Sequence, residues 1–181
     1  DVMQCFGSVN YDPFKSILKK GADNADWVSQ AAEIVKAAIA LPRFRVLSVN
    51  AYQLTDGGAY IYQELGYALA NANEILNKLV ETGLDAGLVA KKIKFNFGVG
   101  SNYFMEVAKF RAGRWLWAEI VNAYNPDCKC DDGKCHCAAK MYAHAQTTIF
   151  NHTVYDAHVN LLRSQTEAMS ATIGGVNSLT V

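Results

Sequence analysis

Apolar positions along this chain alternate between two spacings. Short runs at Val2–Val9, Arg45–Tyr52, Lys92–Val99, Lys140–Thr147 and Val176–Val181 lie near Gly, Pro or Asn, and most carry β-branched or aromatic residues; they predict strands. Longer stretches at Asp26–Ala40, Gly58–Thr82, Tyr103–Ala123 and Val154–Thr172 predict helices. In the second of these, Ile61, Leu65, Leu69, Ile75, Leu76 and Leu79 form a helical stripe that stops at Gly83, and Asp26 is placed to cap the first. In the third, Phe104, Val107, Ala108, Arg111, Trp115 and Ala118 fall at helical spacing. Glu106 with Lys109, and Phe110 with Arg114, occupy neighbouring rows, which by itself reads as a core helix with a charged outer face.

Strand–helix–strand alternation predicts a parallel α/β sheet with helical crossovers. An open doubly wound sheet and a (β/α)8 TIM-type barrel both fit, and periodicity does not separate them. The predicted five strands and four helices make little more than half of an eight-stranded barrel. The chain also stops on a strand, which reads as a single segment (1–181) of a truncated barrel. In a barrel, function sits where strands end and helices begin, here at Asn50–Ala59, Gly98–Asn102, His144–Asp156 and near Asn177.

Composition narrows the function classes. The 181 residues carry 17 basic and 17 acidic side chains, and a neutral balance argues against a general nucleic-acid binder. No run is long and apolar enough to cross a bilayer, and no secretory signal is visible. Four of the five cysteines crowd into ten residues, unlike a dispersed disulfide framework, so a cytoplasmic location is expected.

Four strings carry candidate chemistry. Tyr52 and Gln53 are expected to end a strand, with Asp56-Gly57-Gly58 turning into a helix N-terminus suited to an anion, or simply connecting the two elements. His144 and Gln146, two apart on a strand, share one face; they either bind a polar ligand or are satisfied inside the barrel. The stretch 125–139 reads as a Cys-rich hairpin insertion turning at Asp132-Gly133, with Cys128, Cys130, Cys135 and Cys137 on one face. Four converging thiolates could hold zinc, but one residue between paired cysteines is tighter than the usual spacing; cross-strand disulfides or unpaired thiols also fit. The fourth string is the helix Asn102–Ala118, the most distinctive in the chain.

Together, Ala51-Tyr-Gln-Leu-Thr-Asp-Gly-Gly-Ala59, Phe104-Met-Glu-Val-Ala-Lys-Phe-Arg-Ala-Gly-Arg-Trp-Leu-Trp-Ala118, His144-Ala-Gln-Thr147 and Glu167-Ala-Met-Ser-Ala-Thr-Ile-Gly-Gly-Val-Asn-Ser-Leu179 resemble the cobalamin-dependent methylmalonyl-CoA mutases over nearly the whole chain. Asp12-Pro-Phe14 followed by Lys20-Gly21 looks like the small-subunit version of their barrel. The resemblance implies a (β/α)8 barrel that encloses acyl-CoA in catalytic members. A separate domain there carries adenosylcobalamin for a radical rearrangement of methylmalonyl-CoA to succinyl-CoA.

The carry-over is partial. Tyr52-Gln53 stands where catalytic members have Tyr-His, Thr55 replaces an arginine, and Asn177-Ser-Leu-Thr180 replaces Gln-Ser-Leu-His. His144 and Gln146 match the family's His-x-Gln, and the cobalamin motif Asp-x-His-x-x-Gly does not occur in this chain. A degenerate site at Tyr52, Gln53 and Thr55 implies a non-catalytic small subunit paired with a catalytic large subunit. An active chain binding substrate through Tyr52, Gln53, His144 and Gln146, or a zinc-binding interaction module, are the alternatives.

Overall fold

The computed structural model describes residues 5–21, 25–126 and 137–181, apart from the side chains of Ser16 and Lys20. In chain order the elements are β1 (Gly7–Tyr11), α1 (Lys15–Lys20), α2 (Trp27–Ala37), β2 (Phe44–Asn50), α3 (Tyr52–Asp56), α4 (Ile61–Glu81), α5 (Ala86–Lys92), β3 (Ile93–Val99), α6 (Tyr103–Ala123), β4 (Ala143–Thr147), α7 (Ala157–Gly174) and β5 (Ser178–Thr180). The five strands form one parallel sheet in the order β1-β2-β3-β4-β5.

That order decides between the two architectures. A doubly wound sheet reverses direction at a switch point so that helices cover both faces. Here every strand joins beside its predecessor, and right-handed crossovers then put all the helices on one side. In agreement, α2 touches α4, α4 touches α6, and α6 touches α7 in one continuous layer. The sheet curls into a half-barrel whose concave face carries no helix.

Packing identifies the two faces residue by residue. On β3, Phe95 meets Trp117 of α6 edge-on at 5.0 Å, and Phe97 meets Phe110 of α6 at 5.7 Å. Ile93, Phe95, Phe97 and Val99 therefore point to the helices, all of them buried. With the two-residue period of a strand, Lys94, Asn96 and Gly98 point inward. Helix α7 approaches α6 closely at Gly174, where a Cβ would fall 2.7 Å from the Phe110 ring. Arg114 of α6 then donates to the carbonyls of Gly174 and Gly175, satisfying the last turn of α7.

Several expectations need correction. Tyr52 and Gln53 do not extend β2; the strand stops at Asn50 and they begin the one-turn helix α3. Asp26 precedes α2 without a side-chain capping bond, whereas Asp85 and Asp156 cap α5 and α7. The Asp56-Gly57-Gly58 turn does not lead directly into a helix: α4 starts at Ile61, with the Tyr60 amide donating to Gln63 Oε1 at 2.9 Å. The stop at Gly83 holds, and this residue sits at φ +88° beyond the last turn of α4. The charged row of α6 faces the wrong way for the expected outer surface: Glu106 and Lys109 are buried, while Phe104 and Trp115 are exposed. No described helix is long and apolar enough to cross a membrane.

Candidate functional site

The inward-facing residues of the sheet are nearly all polar. Register sets Asn50 beside Asn96, Asn96 beside His144, and His144 beside Ser178; one layer higher, Gly98 lies beside Gln146 and Gln146 beside Thr180. The outer face of the same strands is Leu47, Val49, Phe95, Phe97, Ala143 and Ala145, all buried against helices. A polar concave wall opposed to an apolar helix-facing one is the arrangement a polar ligand or a water-filled lumen requires.

Hydrogen bonds tie this wall together laterally. Asp12 Oδ2 accepts from the Asn50 amide at 3.0 Å and from Asn50 Nδ2 at 2.7 Å. Asn50 Oδ1 accepts in turn from Asn96 Nδ2 at 2.6 Å. Asn96 Oδ1 is buried and has no partner. His144 Nδ1 lies 2.8 Å from Ser178 Oγ, and Nε2 lies 3.4 Å from Thr180 Oγ1. Burial, helped by the nearby Lys94 charge, holds the His144 imidazole below its ordinary pKa. The neutral ring therefore stays able to both donate and accept at neutral pH.

His144 and Gln146 do share the inward face, as their spacing predicts. Asn177 and Thr180, the other departures from the family pattern, have local partners here. Asn177 Oδ1 accepts from the Ala143 amide at 2.9 Å and the Asn177 amide donates back to the Ala143 carbonyl at 2.8 Å, fixing the start of β5.

Tyr52, Gln53 and Thr55 sit at the carboxyl-end rim, on α3. Both polar atoms of the Gln53 carboxamide are enclosed without a hydrogen-bond partner. Thr55 is buried against β3, so that a Cβ on Gly98 would lie 2.6–2.9 Å from its side chain. The Thr55 hydroxyl is also without a partner. Beside it a cleft of about 360 Å³ opens between Thr55, Tyr60, Gly100, Asn102, Glu106 and Asn151.

Beneath this rim lies a charge cluster that the sequence reading missed. Lys109 Nζ donates to Glu64 Oε2 at 2.6 Å and to the Gly98 carbonyl at 2.6 Å, and pairs with Glu106 Oε2 at 2.5 Å. The same acids receive strand-end amides, Gly98 N to Glu64 Oε1 at 2.6 Å and Gly100 N to Glu106 Oε1 at 2.9 Å. All three side chains are essentially sealed from solvent. Burial works against the Lys109 charge, but the two carboxylates outweigh it and its pKa lies above the ordinary lysine value. For Glu106, burial dominates and its pKa is raised. Glu167 of α7, also buried, is pushed up to about 7 by desolvation; Asn151 pulls it down and the Glu106 charge adds to the rise. Neither Glu167 oxygen has a hydrogen bond of good geometry.

Of the four candidate zinc ligands, Cys128, Cys130 and Cys135 lie outside the described residues, and Cys137 is exposed. Among the described residues no three His, Cys, Asp or Glu side chains converge as a metal site.

Comparison with known proteins matches the sequence to one family. The methylmalonyl-CoA mutase family model matches residues 2–181. The chain is 56% identical over all 181 residues to the methylmalonyl-CoA mutase small subunit of Porphyromonas gingivalis, of which it covers 28%. It is 37% identical over 139 residues, 77% of the chain, to the large subunit of Streptomyces virginiae, covering 18% of that protein. It is 33% identical over the same share to the methylmalonyl-CoA mutase of Escherichia coli, again covering 18%. The chain thus spans less than a third of the length of these curated relatives. Matched over residues 2–181 by the family model, this chain belongs to the methylmalonyl-CoA mutase family.

Proposed function

We propose that this chain forms part of the non-catalytic small subunit of a cytoplasmic methylmalonyl-CoA mutase, stabilising a catalytic large subunit in a heterodimer. The complex would isomerise methylmalonyl-CoA to succinyl-CoA, with acyl-CoA held in the large subunit's barrel. One observation carries the reading. Where the family resemblance expects an imidazole and a guanidinium, this chain has Gln53, its amide enclosed and unpartnered, and Thr55, wedged against Gly98. Neither side chain can supply a cation or a proton-shuttling ring to a thioester carbonyl or a carboxylate.

Membership of the family implies adenosylcobalamin in the assembled enzyme, where it supplies radical chemistry. The described residues do not fit a ligand set for it. The nearest string to the cobalamin motif, Asp156-Ala-His158-Val-Asn-Leu161, has leucine in place of glycine. Its Asp156 carboxylate is occupied in capping α7, accepting from the amides of His158 and Val159. No step of the reaction is therefore assigned to this segment.

A second reading, an active chain with Tyr52, Gln53, His144 and Gln146 on substrate, is favoured by the neutral His144 on the concave wall. Turnover separates the two. The full-length polypeptide is assayed with adenosylcobalamin alone and then mixed with its large-subunit partner. Activity confined to the mixture is the expected result; turnover by the isolated polypeptide would show that Gln53 and Thr55 are compatible with catalysis.

A further inference from the structure

The segment Thr148–Asp156 joins β4 to α7 and supplies one wall of the cleft beside Thr55, through Thr148, Phe150 and Asn151. One row of α7 holds it down. Asn160 Nδ2 donates to the Thr153 carbonyl at 2.6 Å, and Asn160 Oδ1 accepts from the Thr153 amide at 2.9 Å. Arg163 Nη1 donates to the Asn151 carbonyl at 2.6 Å, and Ser164 Oγ lies 3.2 Å from His152 Nε2. Glu167 completes the row, since positions 160, 163, 164 and 167 share one helix face, and it faces Asn151 and the Thr148 amide. Here alone the bonding fails: neither Glu167 oxygen has a partner, and Asn151 Oδ1 is enclosed without one.

The charges around Glu167 do not supply the missing bond. From α6 come Glu106 and Lys109, from α4 Glu64, from α7 Arg163, from α3 Asp56, and from the segment itself His152. Lys109 is shared between Glu64 and Glu106, Asp56 accepts from Thr148 Oγ1 at 2.7 Å, and none of the described ion pairs includes Glu167. Two enclosed acceptors therefore stand together without a donor, and one proton provides it. We propose that Glu167 and Asn151 form a proton-operated latch: neutral Glu167 donates its O–H to Asn151 Oδ1 and seats the Thr148–Asp156 segment, and release of that proton to solvent frees it. The ionised form has nothing to donate and sets a third carboxylate beside Glu64 and Glu106, with one ammonium among them. Desolvation brings the Glu167 carboxyl up to about 7, so the latch is closed below neutrality and opens as pH rises through it. Because the segment walls the cleft, its seating governs access to Thr55 and Asn102. The latch is independent of the proposed assembly role, since it requires neither turnover nor a large subunit.

The test is amide hydrogen exchange of the full-length polypeptide, in the assembly in which it is isolated, read on peptides covering 148–156 and corrected for intrinsic rates. Protection there is expected to fall by about tenfold between about pH 6 and about pH 8, while peptides of β3 keep theirs. In Glu167→Gln the carboxamide donates to Asn151 Oδ1 at every pH, so protection stays high throughout. In Asn151→Ala the acceptor is gone, and exchange is fast at both ends of the range. His152→Gln keeps the parent's pH dependence. The proposal is overturned if the parent segment shows no pH dependence of its own, if Glu167→Gln or Asn151→Ala retains that dependence, or if His152→Gln abolishes it and so assigns the titration to the imidazole.

Discussion

The two ends of the concave wall handle buried charge in opposite ways. At the carboxyl end Lys109 is matched by Glu64 and Glu106, and every charged oxygen or ammonium touches a strand-end backbone group or another charge. At the amino end Arg45 and Lys94 are half-buried beside one another with no acid among the described ion pairs. The first is a closed network whose cost appears only when one member is removed. The second leaves two like charges side by side, with Arg45 Nε enclosed and unpartnered. In a barrel fold the carboxyl end is where ligands usually meet the strands; here the Lys109 cluster beneath that end is fully paired, while the Gln53 carboxamide and Thr55 hydroxyl on its rim have no partner.

Three measurements bear on this contrast. The largest effect is expected at Lys109. Replacing it with methionine leaves Glu64 and Glu106 buried without their counter-ion, and loss of one partner from such a cluster typically costs about 3–5 kcal/mol. Chemical denaturation of the Lys109→Met variant should therefore show a midpoint far below the parent. A near-neutral result would mean that the acids simply take up protons and that the network is not closed as described.

Next comes pH. Glu167 titrates at about 7 in the folded protein, above its ordinary value, so the folded state holds a proton the unfolded chain has already released. Its contribution to stability is full below the unfolded pKa and is lost as pH rises through about 7. Glu167→Gln should flatten that fall, by an amount on the order of 2–3 kcal/mol between the two limits. Unchanged pH dependence of the melting temperature in the variant would assign the slope to other groups.

The smallest effect has the opposite sign. Lys94→Gln removes a cation from beside Arg45, and after screening by solvent the relief amounts to a fraction of about 1 kcal/mol. A slight rise in the denaturation midpoint is expected. A clear loss of stability would place an unrecognised acid next to Lys94 and erase the difference between the two ends.

Much of the architecture was legible because it depends on local pattern. The alternation in Ile93–Val99 separates helix-facing Phe95 and Phe97 from inward Lys94 and Asn96, and the spacing of His144 and Gln146 set both on one wall. The Lys109 cluster was not legible in this way. Its two acids come from different helices, Glu64 being 45 residues away from the lysine, and the amides it satisfies belong to Gly98 and Gly100. No local window contains those four groups together. The same window misassigned the α6 surface, because the exposed Phe104 and Trp115 obey helical spacing as well as the buried Phe110 and Trp117 do.

Tyr52 and Gln53 failed for a different reason. An aromatic residue after Val49-Asn50 favours strand by propensity, and a helix of five residues leaves too short a period to compete. The burial of Thr55 against Gly98 required the structure, because the two positions lie far apart in the chain.

The strictly sequential strand order has a consequence for biosynthesis. Each strand pairs with the one made just before it, so no strand waits for a distant partner and no earlier pairing has to open to admit a later one. At ribosomal speeds of roughly 5–20 residues per second, each strand–helix unit has seconds to dock before its neighbour emerges. Such a sheet can be laid down in the direction of translation, with the newest edge strand as the template for the next.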